Sequence, residues 1–355
     1  MSRRLFVAVA AAALGVVALG PFGGASAEGL PTVVRFGDVG FGFGKPFGQG
    51  ISAVADAKGF VAHEFKGTPV KLEFNYFTGT GPAINEALSN GQLDVATYGA
   101  VPNSIGRANG IPTRLIMSFG GTNIFAAARA DLPIRSVADL KGRKIAVQKA
   151  TIIHWGLIRA LQANGLSEKD VTILDLKNAD QLAALSARSV DAVFGASFLL
   201  PLREKGIANI VYNSRDTGPK GAGFGAVVVT EDFAARYPDA AARVARGFVR
   251  AAEFVADERN RDEVFRIWSR SGTPYELFKA ENEGVVLKDA YNPLLDDFFR
   301  ARYRSVLAFN QEQKLTRSEV DLNKWADPSY LDDALRQTGL EKFWLPRTED
   351  GVVTH

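Results

Sequence analysis

Short runs typical of β-strands alternate with helical segments along the first two thirds of the chain, and this alternation limits the fold more than any other feature. The runs are residues 32–36, 70–74, 95–97, 113–119, 144–147, 171–174, 192–194 and 225–229. Strands separated by segments of helical periodicity indicate βαβ units and parallel sheets. After Thr230 the strand patterns end, and long amphipathic stretches predict a helical C-terminal segment.

The length predicts two lobes. Without its N-terminal segment the chain keeps about 330 residues, more than one hydrophobic core usually serves. We expect an α/β fold whose two lobes enclose a central cleft, with residues 28–119 in lobe 1, 120–220 in lobe 2, and 221–355 returning to lobe 1 and adding the helical segment. Glycines at 120–121 and 218–221 mark the predicted crossings, where they form either a hinge or ordinary surface turns.

The N-terminus has the three parts of a secretory signal peptide. Arg3 and Arg4 precede an apolar run at 5–19, and Ala25-Ser26-Ala27 supplies small residues for cleavage after Ala27. The apolar run is shorter than the roughly 20 residues of a membrane helix. We therefore expect residues 1–27 to be removed and the mature chain to be periplasmic; the paired arginines leave the general and the twin-arginine export routes both open.

Composition narrows the possible partners and chemistry. The chain has no cysteine, which excludes disulfides, thiolate metal sites, cysteine nucleophiles and a lipid-modified cysteine anchor. Its net charge of +3 includes Arg3 and Arg4, so the mature protein is close to neutral. This balance indicates neither a nucleic-acid nor a membrane partner, and we expect a monomer.

Two hydroxyl-bearing loops precede helices, one in each predicted lobe. The first, at 78–82, contains Thr80 and Gly81, and the second, at 149–154, contains Thr151. Helix N-termini present free N–H groups and favour anions, although each loop alone is also typical of a simple cap and turn. Two such loops at the carboxyl ends of parallel strands would face one cleft, which predicts an anion site there.

Several segments together resemble one protein family. They are residues 80–88, 91–94, Gly99 and Pro102, 140–149, 189–192, 228–234, and 320–331. They resemble the aliphatic sulfonate, taurine and nitrate family of ABC-transporter substrate-binding proteins, along nearly all of the mature chain. The resemblance implies the two-lobed type II periplasmic binding protein fold.

The resemblance also implies ligand-binding positions. The family's anion-binding loops correspond here to Thr80 and Gly81, to Gly99 and Ala100, and to Thr151 with the amide of Ile152. Relatives often carry a tryptophan where this chain has Ala196, followed by Ser197 and Phe198, so we expect an enlarged or reshaped pocket that includes Ser197.

Three further groups are candidates for ligand contact, each with an ordinary structural alternative. In the glycine-rich loop at 37–48, Gly40, Phe41 and Phe43 would line the cleft or pack into the core, and Lys45 would neutralise an anion. Phe224 is a similar aromatic candidate. His154 would reach the cleft or only pack in the first turn of its helix. No spacing typical of metal ligands is present, so we expect neither a metal nor a cofactor.

These observations predict a binding protein for a sulfonate or similar small organic anion that works with ABC permease subunits by lobe closure. Two alternatives remain. Hydroxymethylpyrimidine phosphate synthase, an enzyme of thiamine biosynthesis, is superficially similar, but its family carries a cysteine-rich motif that this chain lacks. A capture module for a sensor is the other alternative, and the sequence does not separate it from transport.

Overall fold

The computed structural model describes residues 29–42, 46–218 and 220–354. The predicted signal peptide, Phe43, Lys45 and His355 lie outside these ranges. Within them the strands are β1 (Val33–Val39), β2 (Lys71–Phe77), β3 (Val95–Gly99), β4 (Thr113–Thr122), β5 (Phe125–Arg129), β6 (Lys144–Val147), β7 (Thr172–Asp175), β8 (Ala192–Gly195), β9 (Ala208–Asn213) and β10 (Gly223–Thr230).

The helices of the described residues concentrate in the C-terminal third. They are α1 (Gly50–Lys58), α2 (Phe60–Glu64), α3 (Thr80–Ser89), α4 (Ala100–Ala108), α5 (Ile152–Ala163), α6 (Asn178–Ser186), α7 (Leu200–Glu204), α8 (Glu231–Arg236), α9 (Pro238–Ala256), α10 (Arg261–Ser269), α11 (Tyr275–Glu281), α12 (Leu287–Ala290), α13 (Asp297–Glu312), α14 (Leu322–Trp325) and α15 (Ser329–Thr338). Short 3₁₀ turns lie at Val137–Leu140, Glu168–Asp170, Ser197–Leu199, Ser214–Thr217 and Glu258–Asn260.

The strands form two five-stranded sheets with matching arrangements. The first has the order β2-β1-β3-β10-β4 and the second the order β7-β6-β8-β5-β9. In each sheet the first three strands are parallel, and the fourth, β10 or β5, runs antiparallel to both neighbours. The expected parallel pairing is thus present in both sheets, and each sheet also contains an antiparallel strand, β10 or β5, at the point where the chain enters it from the other sheet.

We call the first sheet with its helices lobe 1 and the second sheet with its helices lobe 2. The chain passes from lobe 1 to lobe 2 between β4 and β5, and it returns between β9 and β10. Gly120 has a φ of +91° and Gly218 a φ of +84°, conformations that side chains larger than glycine rarely adopt. The predicted lobe boundaries and the hinge role of these glycines stay predictions.

Both faces of the sheets are covered. On one face of lobe 1, Val34 and Phe36 of β1 pack with α1 and with Phe248 of α9. On the other face, Tyr98 of β3 joins a buried cluster that continues through Ile152 of α5 into lobe 2. β2 is an edge strand, and its exposed Lys71, Glu73 and Asn75 limit pairing with other chains. The carboxyl ends of β1, β3, β6 and β8 are thus left to form a site between the lobes.

Candidate functional site

A cavity of about 150 Å³ lies between the two sheets. This volume is on the scale that holds a benzene-sized molecule. Aromatic side chains from both lobes and from the C-terminal helices line it: Phe41, Tyr98, Phe119, Phe125, Phe194, Phe198, Trp268, Phe278 and Tyr291. The aromatic part of the cavity wall is therefore suited to an organic group, and polar residues occupy other positions of the wall.

The start of α3 supplies one of these positions. Thr80 is the first residue of the helix and has a φ of +58°, a strained conformation for a β-branched residue. Its hydroxyl is buried, lines the cavity and has no hydrogen-bond partner among the described residues. A Cβ at Gly81 would lie 2.2 Å from Cγ of Pro102, so only glycine fits there. The start of α3 therefore lies at the cavity with a buried, unpaired hydroxyl and with the N–H groups that the first turn of a helix leaves free.

The start of α5 supplies the second position. Thr151 caps the helix, since its Oγ1 accepts the N–H of His154 at 3.3 Å and donates to the carbonyl of Gln148 at 2.7 Å. Ala150 before it has a φ of +56°, close to the φ of Thr80. Thr151 and Ile152 line the cavity. Both lobes thus place the beginning of a helix at the cavity, with a strained residue at the first position of α3 and just before the cap of α5.

The two lobes touch across the cavity. Nε2 of Gln148 in lobe 2 donates to the carbonyl of Gly79 in lobe 1 at 3.1 Å. A Cβ on Gly99, the N-cap of α4, would lie 3.1 Å from Cγ2 of Ile152. The ring of Phe41 stacks on that of Phe198, with centroids 6.3 Å apart. These contacts bring the starts of α3, α4 and α5 together in one closed arrangement.

A further hydrogen-bonded contact between the lobes lies at the side of the cavity near α1. Nε2 of Gln49 donates to the hydroxyls of Ser197 at 3.2 Å and Ser271 at 2.9 Å. Elsewhere in the cavity wall, Arg215 of lobe 2 lies 3.7 Å from Glu281 of α11 and donates to Asn282 at 2.9 Å. Burial raises the pKa of Glu281, and Asn123 and Arg215 oppose this shift.

Asp38 is a carboxyl group in the cavity wall that the sequence interpretation missed. It is 7% exposed; Oδ1 accepts the N–H of Val39 at 2.7 Å, whereas Oδ2 has no hydrogen-bond partner among the described residues. Burial raises its pKa to about 8. Gln148 and Gln181 were missed too, and their Oε1 atoms also lack partners within the described ranges. A single polar residue among apolar neighbours does not reveal from the sequence that its side chain lines a cavity.

The structure brings most of the predicted site residues to the cavity. Those that line it are Phe41, Thr80, Gly81, Gly99, Thr151, Ile152 and Ser197. Gly40 and Ala100 adjoin lining residues but do not line the cavity themselves. The N–H of Gly40 is engaged by the carbonyl of Phe77 at 3.0 Å, and Ala100 is fully buried at the first turn of α4.

His154 and Phe224 differ from the expectation of ligand contact. The His154 ring lies on the far side of α5, 5.6 Å from the ring of Phe309 and 3.5 Å from Glu168, and burial lowers its pKa. Phe224 faces away from the cavity, where Arg302 lies 3.9 Å over its ring. The cap at Thr151 fixes the rotation of α5 and so turns His154 into the core; β10 alternation does the same for Phe224.

Two global features of the described residues bear on function. Across these ranges, His, Asp and Glu side chains form no group of three that would hold a metal ion. Of the helices described, none combines the length and apolar character needed to cross a membrane.

Residues 51–261 match the family described as NMT1/THI5 like. The chain belongs to this family. A putative aliphatic sulfonates-binding protein of Bacillus subtilis is 27% identical over 80% of this chain and 84% of its own length. A protein of the same description from Escherichia coli is 30% identical, but that match spans 47% of this chain and only 50% of the relative.

Solved structures confirm the two-lobed α/β fold with its helical C-terminal segment. The periplasmic sulfonate-binding protein SsuA from Methylobacillus flagellatus superposes with a TM-score of 0.78 at 26% identity, covering 89% of this chain and 98% of that one. The desulfurization enzyme DSZB shares the fold at 17% identity, with a TM-score of 0.63 over 86% of this chain and 99% of that one. The family resemblance found in the sequence is thereby confirmed, while the fold itself occurs in both binding proteins and an enzyme.

Proposed function

We propose that the protein is the periplasmic solute-binding component of an ABC importer and captures a sulfonate or similar organic anion between its lobes. One observation carries this proposal. The starts of α3 and α5 meet at a cavity in which the buried Thr80 hydroxyl has no partner among the described residues. A bound oxyanion would accept hydrogen bonds from that hydroxyl and from the free N–H groups beside it.

The chemistry of the two helix starts suits an anion with several oxygens. The first N–H groups of a helix have no intrahelical acceptor, and the helix dipole favours negative charge there. The basic side chain lining the cavity, Arg215, already pairs with Glu281. We therefore expect the anion to be bound by backbone N–H groups and hydroxyls, with no arginine or lysine of the described residues against it.

The aromatic wall suits the organic part of the ligand. Phe41 and Phe198 stack across the lobes, so a flat ligand would lie beside this ring pair. Ala196 and Ser197 line the cavity where relatives often carry a tryptophan. We propose that the preferred ligand is larger than the smallest sulfonates and partly aromatic.

The comparisons support the transport role. The relatives from Escherichia coli and Bacillus subtilis are described as aliphatic sulfonates-binding proteins, and the Methylobacillus structure is described as a periplasmic component of a sulfonate ABC transporter. Removal of residues 1–27, docking to permease subunits and binding without bond breaking are parts of the same proposal. Deleting the gene should abolish uptake of the ligand; loss of only the response to the ligand would favour the sensor alternative.

A thermal-shift assay of the mature chain with benzenesulfonate tests binding directly. Ligand at 100 times its Kd should stabilise the protein by about 2.7 kcal/mol. Benzyl alcohol keeps the ring without the anion and should give no shift, and nitrate tests for an inorganic ligand. A shift with nitrate alone would contradict the organic-anion proposal.

Variants test where the anion binds. Thr80→Ala removes a hydroxyl that lines the cavity, whereas Thr172→Ala removes an exposed one on β7. We expect the first to weaken benzenesulfonate binding about tenfold, since hydrogen bonds to charged groups contribute roughly 1.5–3 kcal/mol. The second should change nothing. Equal affinity of both variants would show that the anion site is elsewhere.

A further inference from the structure

Three residues that line the cavity each carry a buried side-chain oxygen, and an anionic group alone would leave the amide oxygens and the ionised Asp38 carboxylate unpaired. These oxygens are Oδ2 of Asp38, Oε1 of Gln148 and Oε1 of Gln181, and none has a partner among the described residues. The glutamine oxygens are the free atoms because Nε2 of Gln148 donates to Gly79 and Nε2 of Gln181 donates to Leu176. Native proteins pair nearly all buried polar atoms, so these acceptors indicate a ligand that also brings N–H or O–H donors.

Asp38 is the charged member of this acceptor group. In the strand register it lies beside Tyr76 and Thr97, at the same sheet edge as the start of α3. Asp38 forms no ion pair within the described ranges. Arg215, the basic side chain of the cavity wall, already forms an ion pair with Glu281. A buried carboxylate is stable only with a cation or with several donors.

We propose that Asp38 is a specificity-determining residue whose carboxylate binds a cationic N–H group of the ligand. The inference rests on the proposed function, because the same ligand presents its anion to the helix starts. The preferred ligand is then an amino-bearing organic anion. Its ammonium group replaces the counterion that Asp38 lacks within the described residues, and its further N–H groups are available to the glutamine oxygens.

This arrangement couples binding to a proton. Burial raises the pKa of Asp38 to about 8, and the nearby Asp56 carboxylate adds to the rise, while the Ser52 hydroxyl and the Val39 N–H oppose it. Of the other groups packed there, Tyr76 donates its hydroxyl to Asp56 and Arg270 lies over the ring of Phe47. In the ligand-free protein Asp38 is therefore mostly protonated at pH 7, and an ammonium ligand must displace that proton.

The loss of this proton on binding sets the direction in which ligand affinity changes with pH. A ligand that binds the ionised carboxylate gains affinity as the pH rises, by up to about 50-fold between pH 6 and pH 8, and the gain levels off above the free-protein pKa of about 8. A sulfonate without nitrogen has no such dependence on Asp38.

Isothermal titration of the mature chain at pH 6, 7 and 8 tests the proposal with matched probes. Ethanesulfonate, isethionate and taurine share a sulfonate and a two-carbon chain but end in a methyl, a hydroxyl or an ammonium group. Benzenesulfonate and 4-(aminomethyl)benzenesulfonate form a second series that fits the aromatic wall. In the series that binds, we expect the amine to be preferred at least tenfold at pH 8 and the preference to shrink towards pH 6.

Asp38→Asn keeps the shape of the side chain and should abolish both the amine preference and its pH dependence, measured as the ratio of affinities for the amine and for the sulfonate without nitrogen. Asp56→Asn is the matched control, because Asp56 lies nearby without lining the cavity. It should keep the amine preference, with the pH dependence moved to lower pH because the Asp56 charge no longer helps to raise the pKa of Asp38. Circular dichroism and melting temperature establish that each variant is folded. Sulfonates that bind with no preference for the amine, or a preference that survives Asp38→Asn, would overturn this inference and leave the proposed function intact. If no sulfonate of either series binds, the proposed function itself fails.

Discussion

Thr80→Gly should make the protein more stable and its anion binding weaker. Thr80 has a φ of +58°, and the left-handed region costs a residue with a Cβ roughly 1–2 kcal/mol. Glycine relieves that strain, but about half of this gain in stability is lost because glycine gives the unfolded chain more conformational entropy. Removing the buried hydroxyl, which lacks a partner among the described residues, adds about 1 kcal/mol more. We expect a net gain of about 1–2 kcal/mol in the free energy of unfolding.

The matched control is Lys314→Gly. Lys314 has a φ of +55° but is exposed after α13 and away from the cavity. It should gain up to about 1 kcal/mol from the same relief of backbone strain. Urea unfolding of the ligand-free chains measures stability, and titration with benzenesulfonate measures affinity. Only Thr80→Gly should lose affinity, about tenfold. A less stable Thr80→Gly would refute the strain argument, and unchanged affinity would refute the role of the hydroxyl.

Three other changes have distinct signatures. Thr151→Ala removes the cap of α5 and should lower both stability, by about 1 kcal/mol, and sulfonate affinity; a drop in stability alone would restrict Thr151 to capping. The buried His154 has a lowered pKa, so native stability falls as the pH drops below about 6.5, where the unfolded chain takes up the proton first. His154→Leu should reduce this fall in melting temperature between pH 7 and pH 5 without changing affinity. Because the folded-state pKa of Asp38 is raised from 3.8 to about 8, its contribution to stability is lost as the pH rises through that window. Asp38→Asn should therefore raise the melting temperature of the empty protein at pH 8, and this advantage should shrink at lower pH.

The sequence pattern predicts much of the fold because strands and helices have different periods. The predicted run at 144–147 is the observed β6, and β3 and β8 begin where their runs begin. β5 was missed because its sequence, Phe-Ala-Ala-Ala-Arg, has little β-propensity, and its burial inside the second sheet determines its structure. The direction of each strand could not be predicted from the sequence either, because a hydrophobic run has the same pattern in a parallel and in an antiparallel sheet.

The candidate site was predictable where local chemistry defines it. A hydroxyl and a glycine at the start of a helix are visible in the sequence, and the structure places Thr80, Gly81 and Thr151 at the cavity. Asp38 and Gln148 could not be found in this way, because their role depends on burial and on a contact between lobes. For His154 the sequence left ligand contact and packing both open, because one residue of helix rotation separates the cavity from the core.

We propose that an organic anion binds at the joined starts of α3 and α5. A crystal structure of the mature chain with benzenesulfonate tests it most directly. We expect sulfonate oxygens within hydrogen-bond distance, roughly 2.7–3.2 Å, of the Thr80 hydroxyl, the Gly81 N–H and an N–H at the start of α5, with the ring against the aromatic wall. A sulfonate bound on surface arginines outside the cavity, with the Thr80 hydroxyl still unpaired, would contradict it.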